Sequence, residues 1–335
     1  MKILHLGFNL NIANELYYVS EQLDLNLIFK RFTDGVNPNN SPKLYNVSYE
    51  LAKNAWENNK DFYNKFDMII TSDTCPISRV FLQNNYNKKL IIYVCNRFDY
   101  YDKSSLDCDF PDQDYYKLMA NVKNCKNVKI LAYTEFENLY AKKYCEVDIG
   151  SKVIKPIGKI SSKFSKYDNI SSIPKELIKE DLFFVSTYHN NTQLIDLSKI
   201  LNELKIPNYV GEYKNVKDLI GFKGIMHIPS SWSDISLFKI LQLGIIYFVP
   251  TMNFLLKLKS KGNFYWNPPF TVEYLAMSEW YCDDHKNIII YFESWQDLRN
   301  KVKNTNYEKQ RGIITQFMLK HEKICLDKWS RILLN

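Results

Sequence analysis

Short apolar runs separated by amphipathic helical stretches recur along this chain, and that alternation constrains the fold more than any single motif. Lys2–Phe8 (KILHLGF) has the length and apolar content of a buried parallel strand. Helical spacing follows over Ala13–Leu23, with Leu16, Tyr17, Val19 and Leu23 on roughly one face. Further strands are expected at Leu25–Phe32, Asp67–Ser72, Lys89–Cys95, Val128–Thr134 and Lys152–Ile157. Between them lie helical segments at Tyr45–Phe66, from Pro76 to about Asn85, at Pro111–Val122 and at Glu135–Tyr144. Gly158–Glu180 breaks the pattern. A second alternation starts at Asp181–Ser186 (DLFFVS) and continues with strands Asn208–Gly211, Gly224–Ile228, Ile245–Val249 and Asn287–Phe292. Its helices are expected at Gln193–Leu204, Val216–Gly221, Ile235–Leu243, Asn253–Lys261 and Ser294–Val302. Parallel strands need crossover helices, so such a chain folds as doubly wound α/β sheets.

The expected architecture is therefore α/β, with two Rossmann-like doubly wound domains facing a central cleft. Residues 1–158 form the first domain, 159–180 a linker, 181–306 the second domain and 307–335 terminal helices. The length of 335 residues fits two domains better than one. Charged residues make up 24%, a globular value, and the net charge of +7 (44 basic minus 37 acidic) is not gathered into any basic stretch. A nucleic-acid partner is not expected on that ground. Seven cysteines without a CxxC pair fit free thiols in a reducing compartment. MKILHLGF is too short an apolar run for a signal peptide, and no run reaches the roughly 20 residues that span a bilayer. These readings point to a cytoplasmic protein with no transmembrane segment.

Ligands of doubly wound sheets sit at the carboxyl ends of the strands, so the residues after each strand carry the functional information. The richest stretch is Gly211–Thr251. Strand Asn208–Gly211 ends in Gly211-Glu212-Tyr213. Strand Gly224–Ile228 runs into Pro229-Ser230-Ser231-Trp232-Ser233-Asp234 and a helix beginning Ile235-Ser236, which Gly244 stops. A turn of hydroxyls and backbone N–H groups at a helix start is a site for a diphosphate. A plain Asp or Ser N-cap without ligand is the alternative.

This run resembles the donor-binding half of GT-B-fold glycosyltransferases. The resemblance implies that the Gly211–Tyr213 turn lies near a nucleotide base, and that the Pro-Ser loop and following helix hold the diphosphate and ribose of a sugar nucleotide. The motif covers about forty residues, while the double α/β layout covers nearly the whole chain. Two departures stand out. The glutamate the family commonly places five residues before the helix-ending glycine is Lys239, which fits a surface lysine or a phosphate ligand. The earlier glutamate falls among Ser231–Ser233. The Arg and Lys that many members carry after the first strand of this domain are replaced by Thr187-Tyr188-His189-Asn190-Asn191. There His189 and Asn190 can donate hydrogen bonds to phosphate or sugar, and an N-cap role suits Asn191 equally.

In the first half, strand Lys89–Cys95 ends in Asn96-Arg97-Phe98-Asp99. Arg97 offers an anion fork and Asp99 a general base toward an acceptor hydroxyl; a structural Arg97–Asp99 ion pair is the alternative. Glu135, after the next strand, is a second candidate base, although a helix first turn favours an acid in any case. Asn9, Asn11 and Asn96 are the expected acceptor-side groups. Asp107-Cys108-Asp109 and Cys282-Asp283-Asp284-His285 read as solvated loops, and no metal is expected. Trp232, Trp266, Trp280 and Tyr281 are candidates for sugar stacking or for the core.

The expected activity is transfer of a sugar from a nucleotide diphosphate sugar, used as co-substrate without a resident cofactor, to a hydroxyl of a glycan or protein acceptor. A binding protein that kept this fold and lost catalysis is the alternative, and the missing glutamates are its support.

Overall fold

The fold is that of a computed structural model, which describes residues 1–32, 47–73, 75–95, 98–99, 112–163, 173–174, 177–190, 194–261 and 271–334. The chain divides into two compact units, Met1–Pro156 with Leu326–Asn335, and Ile157–Cys325.

The first unit alternates β1 (Lys2–Gly7), α1 (Leu10–Gln22), β2 (Asn26–Arg31), α2 (Tyr49–Tyr63) and β3 (Met68–Thr71). A 3-10 turn at Cys75–Ser78 then runs into the single-turn α3 (Arg79–Leu82). β4 (Lys89–Val94), α4 (Gln113–Ala120), β5 (Val128–Ala132) and α5 (Glu135–Tyr144) follow. The five strands are parallel in the order β2-β1-β3-β4-β5. The interior strands are apolar because both of their faces are covered: Ile3, Leu4, Leu6, Ile69, Ile70 and Ile92 are fully buried. Helix starts follow local chemistry. Asn9, Ser48 and Asp112 each accept a hydrogen bond from a first-turn backbone N–H of α1, α2 and α4.

The second unit holds β6 (Phe183–Ser186), α6 (Leu197–Glu203), β7 (Asn208–Gly211), β8 (Gly224–Met226), α7 (Ile235–Leu241), β9 (Tyr247–Pro250), α8 (Met252–Ser260), α9 (Val272–Ala276), β10 (Ile289–Phe292) and α10 (Trp295–Asn304). Its parallel order, β10-β9-β8-β6-β7, repeats that of the first sheet when read from β7. A final helix, α11 (Tyr307–Leu333), buries Ile314 and Met318 with the second unit, and its last residues from Leu326 onward cluster with the first.

The strand expected at Lys152–Ile157 is reduced to one bridge, Val153 beside Ala132. Ala132 N–H donates to Lys152 O (2.9 Å) and Ile154 N–H to Ala132 O (3.0 Å). Pro156 has no N–H to continue the ladder. The helix expected from Pro76 is a 3-10 turn followed by one α-turn, the segment at Val216–Leu219 is 3-10, and α9 lies where no element was expected.

In each sheet the first and third strands of the unit lie side by side with their crossovers leaving in opposite directions. The crevice beyond their carboxyl ends is where a doubly wound sheet takes its ligand. That puts the β1/β3 ends of the first unit and the β6/β8 ends of the second under inspection.

Candidate functional site

At the β1/β3 ends, the Asp73 carboxylate accepts backbone N–H groups of Phe8 (2.5 Å) and Asn9 (2.9 Å). Asp73 adopts the left-handed conformation with φ 69° to reach them. Burial raises its pKa, and the two backbone bonds pull the other way. Ser72 Oγ lies 2.7 Å from His5 Nε2, and a Cβ on Gly7 would come within 2.7 Å of both Ser72 Oγ and Asp73 Oδ2. Glycine is required at that position by close approach. An aspartate therefore already occupies the N–H groups that a phosphate would need, and what remains on the surface is neutral and polar: Asn9, whose Oδ1 accepts from Asn11 N–H at 2.8 Å, and the exposed Asn11.

The expectation for Asp99 is corrected by its surroundings. The side chain is 1% exposed; Tyr116 and Tyr140 donate hydroxyls to it, the latter at 3.0 Å, and the Cys145 thiol lies 3.3 Å away. Residues of α4 and α5 enclose it, so it is a core hydrogen-bond acceptor and not a group open to an acceptor substrate. Asparagine at this position keeps one oxygen but puts an NH2 against hydroxyl donors. Asp99→Asn is expected to lower stability by about 1.5–3 kcal/mol, read as a fall in Tm, and to leave turnover of the folded fraction near wild type. Glu135 is exposed in the first turn of α5. Asn96, Arg97, Asp107, Cys108, Asp109, Asn191 and Trp266 lie outside the described residues.

The second unit gathers its polar residues at the β6/β8 ends. Thr187 Oγ1 donates to Glu212 Oε1 (3.1 Å), joining the ends of β6 and β7. The Tyr188 hydroxyl faces Ser230, and that of Tyr213 faces Ser236. Tyr213 is pushed up to about 12 by burial first and the nearby Asp234 second. His189 Nε2 lies 3.0 Å from His227 Nδ1 and also receives Ile228 N–H at 3.4 Å. A ring nitrogen accepting from a backbone N–H holds a lone pair, so His227 donates from Nδ1 and keeps Nε2 as an acceptor. His227 stacks on Trp280 with centroids 4.4 Å apart. The structure thus brings His189, Glu212, Tyr213, Ser230, Asp234 and Ser236 together around the strand ends and the start of α7, while Gly211 closes β7 and Lys239 lies within α7. Asn190 is exposed and bridges Asp196 through its backbone.

Asp234 caps α7, accepting Ser236 N–H at 2.8 Å. Burial raises its pKa, partly offset by that bond and by the Lys239 charge. Lys239 is 9% exposed, which sets aside the surface-lysine alternative. Ser231 Oγ donates to Ser233 O (3.2 Å), and Ser233 Oγ is buried without a hydrogen-bond partner among the described residues. Ile235 is half-buried at the start of α7. Trp232, Trp280 and Tyr281 are buried and belong to the core, with Trp280 serving His227. His285, expected in a solvated loop, is fully buried, whereas Asp283 is exposed and paired with Lys286 at 2.6 Å. His227 was missed; its signal was its place directly after an apolar strand.

Burial holds three histidines neutral: His5 is pushed down to about 3, His189 to about 4 and His227 well below 6.5, with His189 adding to the effect on His227. In the unfolded chain each titrates near 6.5. Below that value the unfolded state binds more protons, so stability falls as pH drops from about 6.5 toward about 4, by up to about 1.4 kcal/mol per pH unit for each ring. Asp73 and Asp234, raised by burial, act with the opposite sign. Urea midpoints should therefore decrease between about pH 7 and pH 5, and the decrease should be smaller in His5→Gln than in wild type. A pH-independent difference between the two would contradict a buried neutral His5.

No protein-family model matches the chain, and no curated protein matches it in sequence. Solved structures do resemble it. The Anabaena protein HepE in complex with UDP and glucose aligns with a TM-score of 0.52 and 12% identity over 99% of each chain. UGT89C1 of Arabidopsis thaliana complexed with UDP aligns with a TM-score of 0.50 and 8% identity over 98% of each. The chain has the two-sheet α/β fold of GT-B glycosyltransferases. Among the described residues no helix is long and apolar enough to cross a membrane.

Proposed function

We propose that this chain is a glycosyltransferase that moves a sugar from a nucleoside diphosphate sugar to a hydroxyl of a glycan or protein acceptor, the second unit taking the donor and the first the acceptor. The observation that carries this reading is the convergence of Thr187–Glu212, Tyr188–Ser230, His189–His227 and Tyr213–Ser236 at the β6/β8 ends. Structures with the same fold are complexed with UDP, and one of them with glucose as well. In the first unit the corresponding crevice is filled by Asp73.

The chemistry follows from those groups. The Gly211–Tyr213 turn borders the base, and the serine hydroxyls of Ser230–Ser236 together with Lys239 offset charge on the leaving diphosphate, so that no catalytic metal is needed. Neutral His227, with an acceptor lone pair at Nε2, takes a hydrogen bond from a sugar hydroxyl. Since Asp99 is enclosed, the proton of the acceptor goes to another base, and exposed Glu135 is the remaining candidate of the first unit.

Asp234 makes the reading testable. A carboxylate at the start of α7 opposes a diphosphate, whereas asparagine keeps the capping oxygen and removes the charge. Asp234→Asn is expected to tighten binding of the cognate nucleoside diphosphate about tenfold, measured by calorimetry; unchanged or weaker binding moves the diphosphate away from this turn. Donor hydrolysis assays on the same protein separate a transferase from a binding protein that retains affinity without turnover.

A further inference from the structure

Glu279, Cys282 and His285 are spaced three residues apart through a chain of tight turns. Cys282 N–H donates to Ser278 O (2.9 Å) and His285 N–H to Cys282 O (3.0 Å), and a 3-10 turn covers Asp283–His285. Side chains three apart eclipse one another in that geometry. Their ligand atoms consequently meet: Glu279 Oε2 is 4.0 Å from His285 Nε2 and 4.0 Å from Cys282 Sγ, and all three lie within 4.8 Å of one another. Glu279 and His285 are buried and Cys282 is half-buried.

The imidazole is held in one tautomer. His285 Nδ1 is 2.5 Å from Glu279 O, and a carbonyl can only accept, so Nδ1 carries the proton and the neutral ring has its lone pair at Nε2, 4.0 Å from the Glu279 carboxylate. A backbone carbonyl fixing one ring nitrogen while the other faces acidic ligands is the outer-shell arrangement of metal-binding histidines. Phe238 and Phe317 pack edge-on against the ring at 5.6 and 5.5 Å, giving the cluster apolar walls. A simple buried carboxylate–imidazole hydrogen bond does not describe the site, because 4.0 Å is too long for one. Tetrahedral zinc with ligands at about 2.0–2.3 Å separates them by roughly 3.3–3.7 Å. Small side-chain rotations close the observed distances to that range.

We propose that Glu279, Cys282 and His285 bind one divalent cation of borderline softness, Zn2+ by preference, with water in the fourth position on the half-buried Cys282 side. A thiolate and an imidazole select such an ion over Mg2+ or Ca2+. Binding releases the thiol proton and clamps the turn between α9 and β10. It also fixes Trp280, the neighbour of Glu279 in sequence and the stacking partner of His227.

The test uses the full chain purified under reducing conditions, stripped with chelator and titrated with Zn2+ and then Co2+. The wild-type chain is expected to bind about one equivalent of each, to gain Tm with Zn2+, and to show a thiolate-to-cobalt charge-transfer band. Cys282→Ser should lose the band and the Zn2+-dependent gain in Tm, and His285→Gln should weaken Zn2+ binding by about 100-fold or more. Cys125→Ser, at an exposed cysteine, should change neither. Failure of the wild-type chain to bind a stoichiometric equivalent overturns the proposal, as does a cobalt–thiolate band that survives Cys282→Ser.

Discussion

Trp329→Ala is expected to destabilise the first unit by about 3–5 kcal/mol, the range for removing a fully buried tryptophan. Trp329 sits near the end of α11, in the segment that clusters with residues 1–156, and is completely enclosed. Its ring meets Tyr93 edge-on at 5.0 Å, and the Tyr93 hydroxyl donates to Ile154 O at 2.8 Å, so the helix end is packed against the centre of the β4–β5 edge. The indole Nε1 is buried without a hydrogen-bond partner among the described residues. Its loss therefore removes packing and no hydrogen bond, and Trp329→Phe should recover part of the stability. Urea unfolding of the two variants measures this. A cost below about 1 kcal/mol for the alanine variant would mean that the helix end does not seal this unit.

Gly158→Ala is expected to cost about 3 kcal/mol or more in the second unit, from two separate causes. Gly158 has φ 79°, where an L side chain is strained. A Cβ there would also overlap the carbonyl carbon and oxygen of Phe238 and sit 2.7 Å from Lys239 N, all backbone atoms of α7 that cannot swing aside. Gly150 provides the control: its φ is 86° and a Cβ would meet nothing within 4 Å, so Gly150→Ala carries the backbone strain of about 1 kcal/mol alone. Because α7 carries Asp234 at its cap and Ser236 in its first turn, Gly158→Ala should weaken nucleotide binding as well, whereas Gly150→Ala should not. Equal unfolding costs for the two variants would contradict the close approach of Gly158 to α7.

The strands and crossover helices were legible because burial on both faces writes them as unbroken apolar runs; β1, β3, β4 and β6 lie inside the spans read from such runs. The residues after β6, β7 and β8 were legible for the same reason, since position after a buried strand places a side chain at the ligand crevice. Lys152–Ile157 misled because its apolar residues pack without a ladder beyond Val153. Asp99 misled because a sequence shows a charge after a strand but not the Tyr116, Tyr140 and Cys145 side chains that arrive from two later helices to enclose it. The burial of Lys239 was not legible because a lysine in a helix shows its charge in the sequence but not what packs over its stem. The contact between Glu279 and His285 depends on consecutive tight turns, which leave no periodic trace in the sequence.

On the proposed function, the β6/β8 ends hold a nucleoside diphosphate. Calorimetric titration of the wild-type chain with UDP, GDP and ADP, with thermal unfolding on the same samples, tests it most directly. Saturable binding of at least one of the three is expected, with stabilisation of about 2.7 kcal/mol at roughly 100 times its Kd, and with tighter binding of that nucleotide by Asp234→Asn. Absence of binding and of any Tm shift with all three nucleotides and their sugars would contradict it.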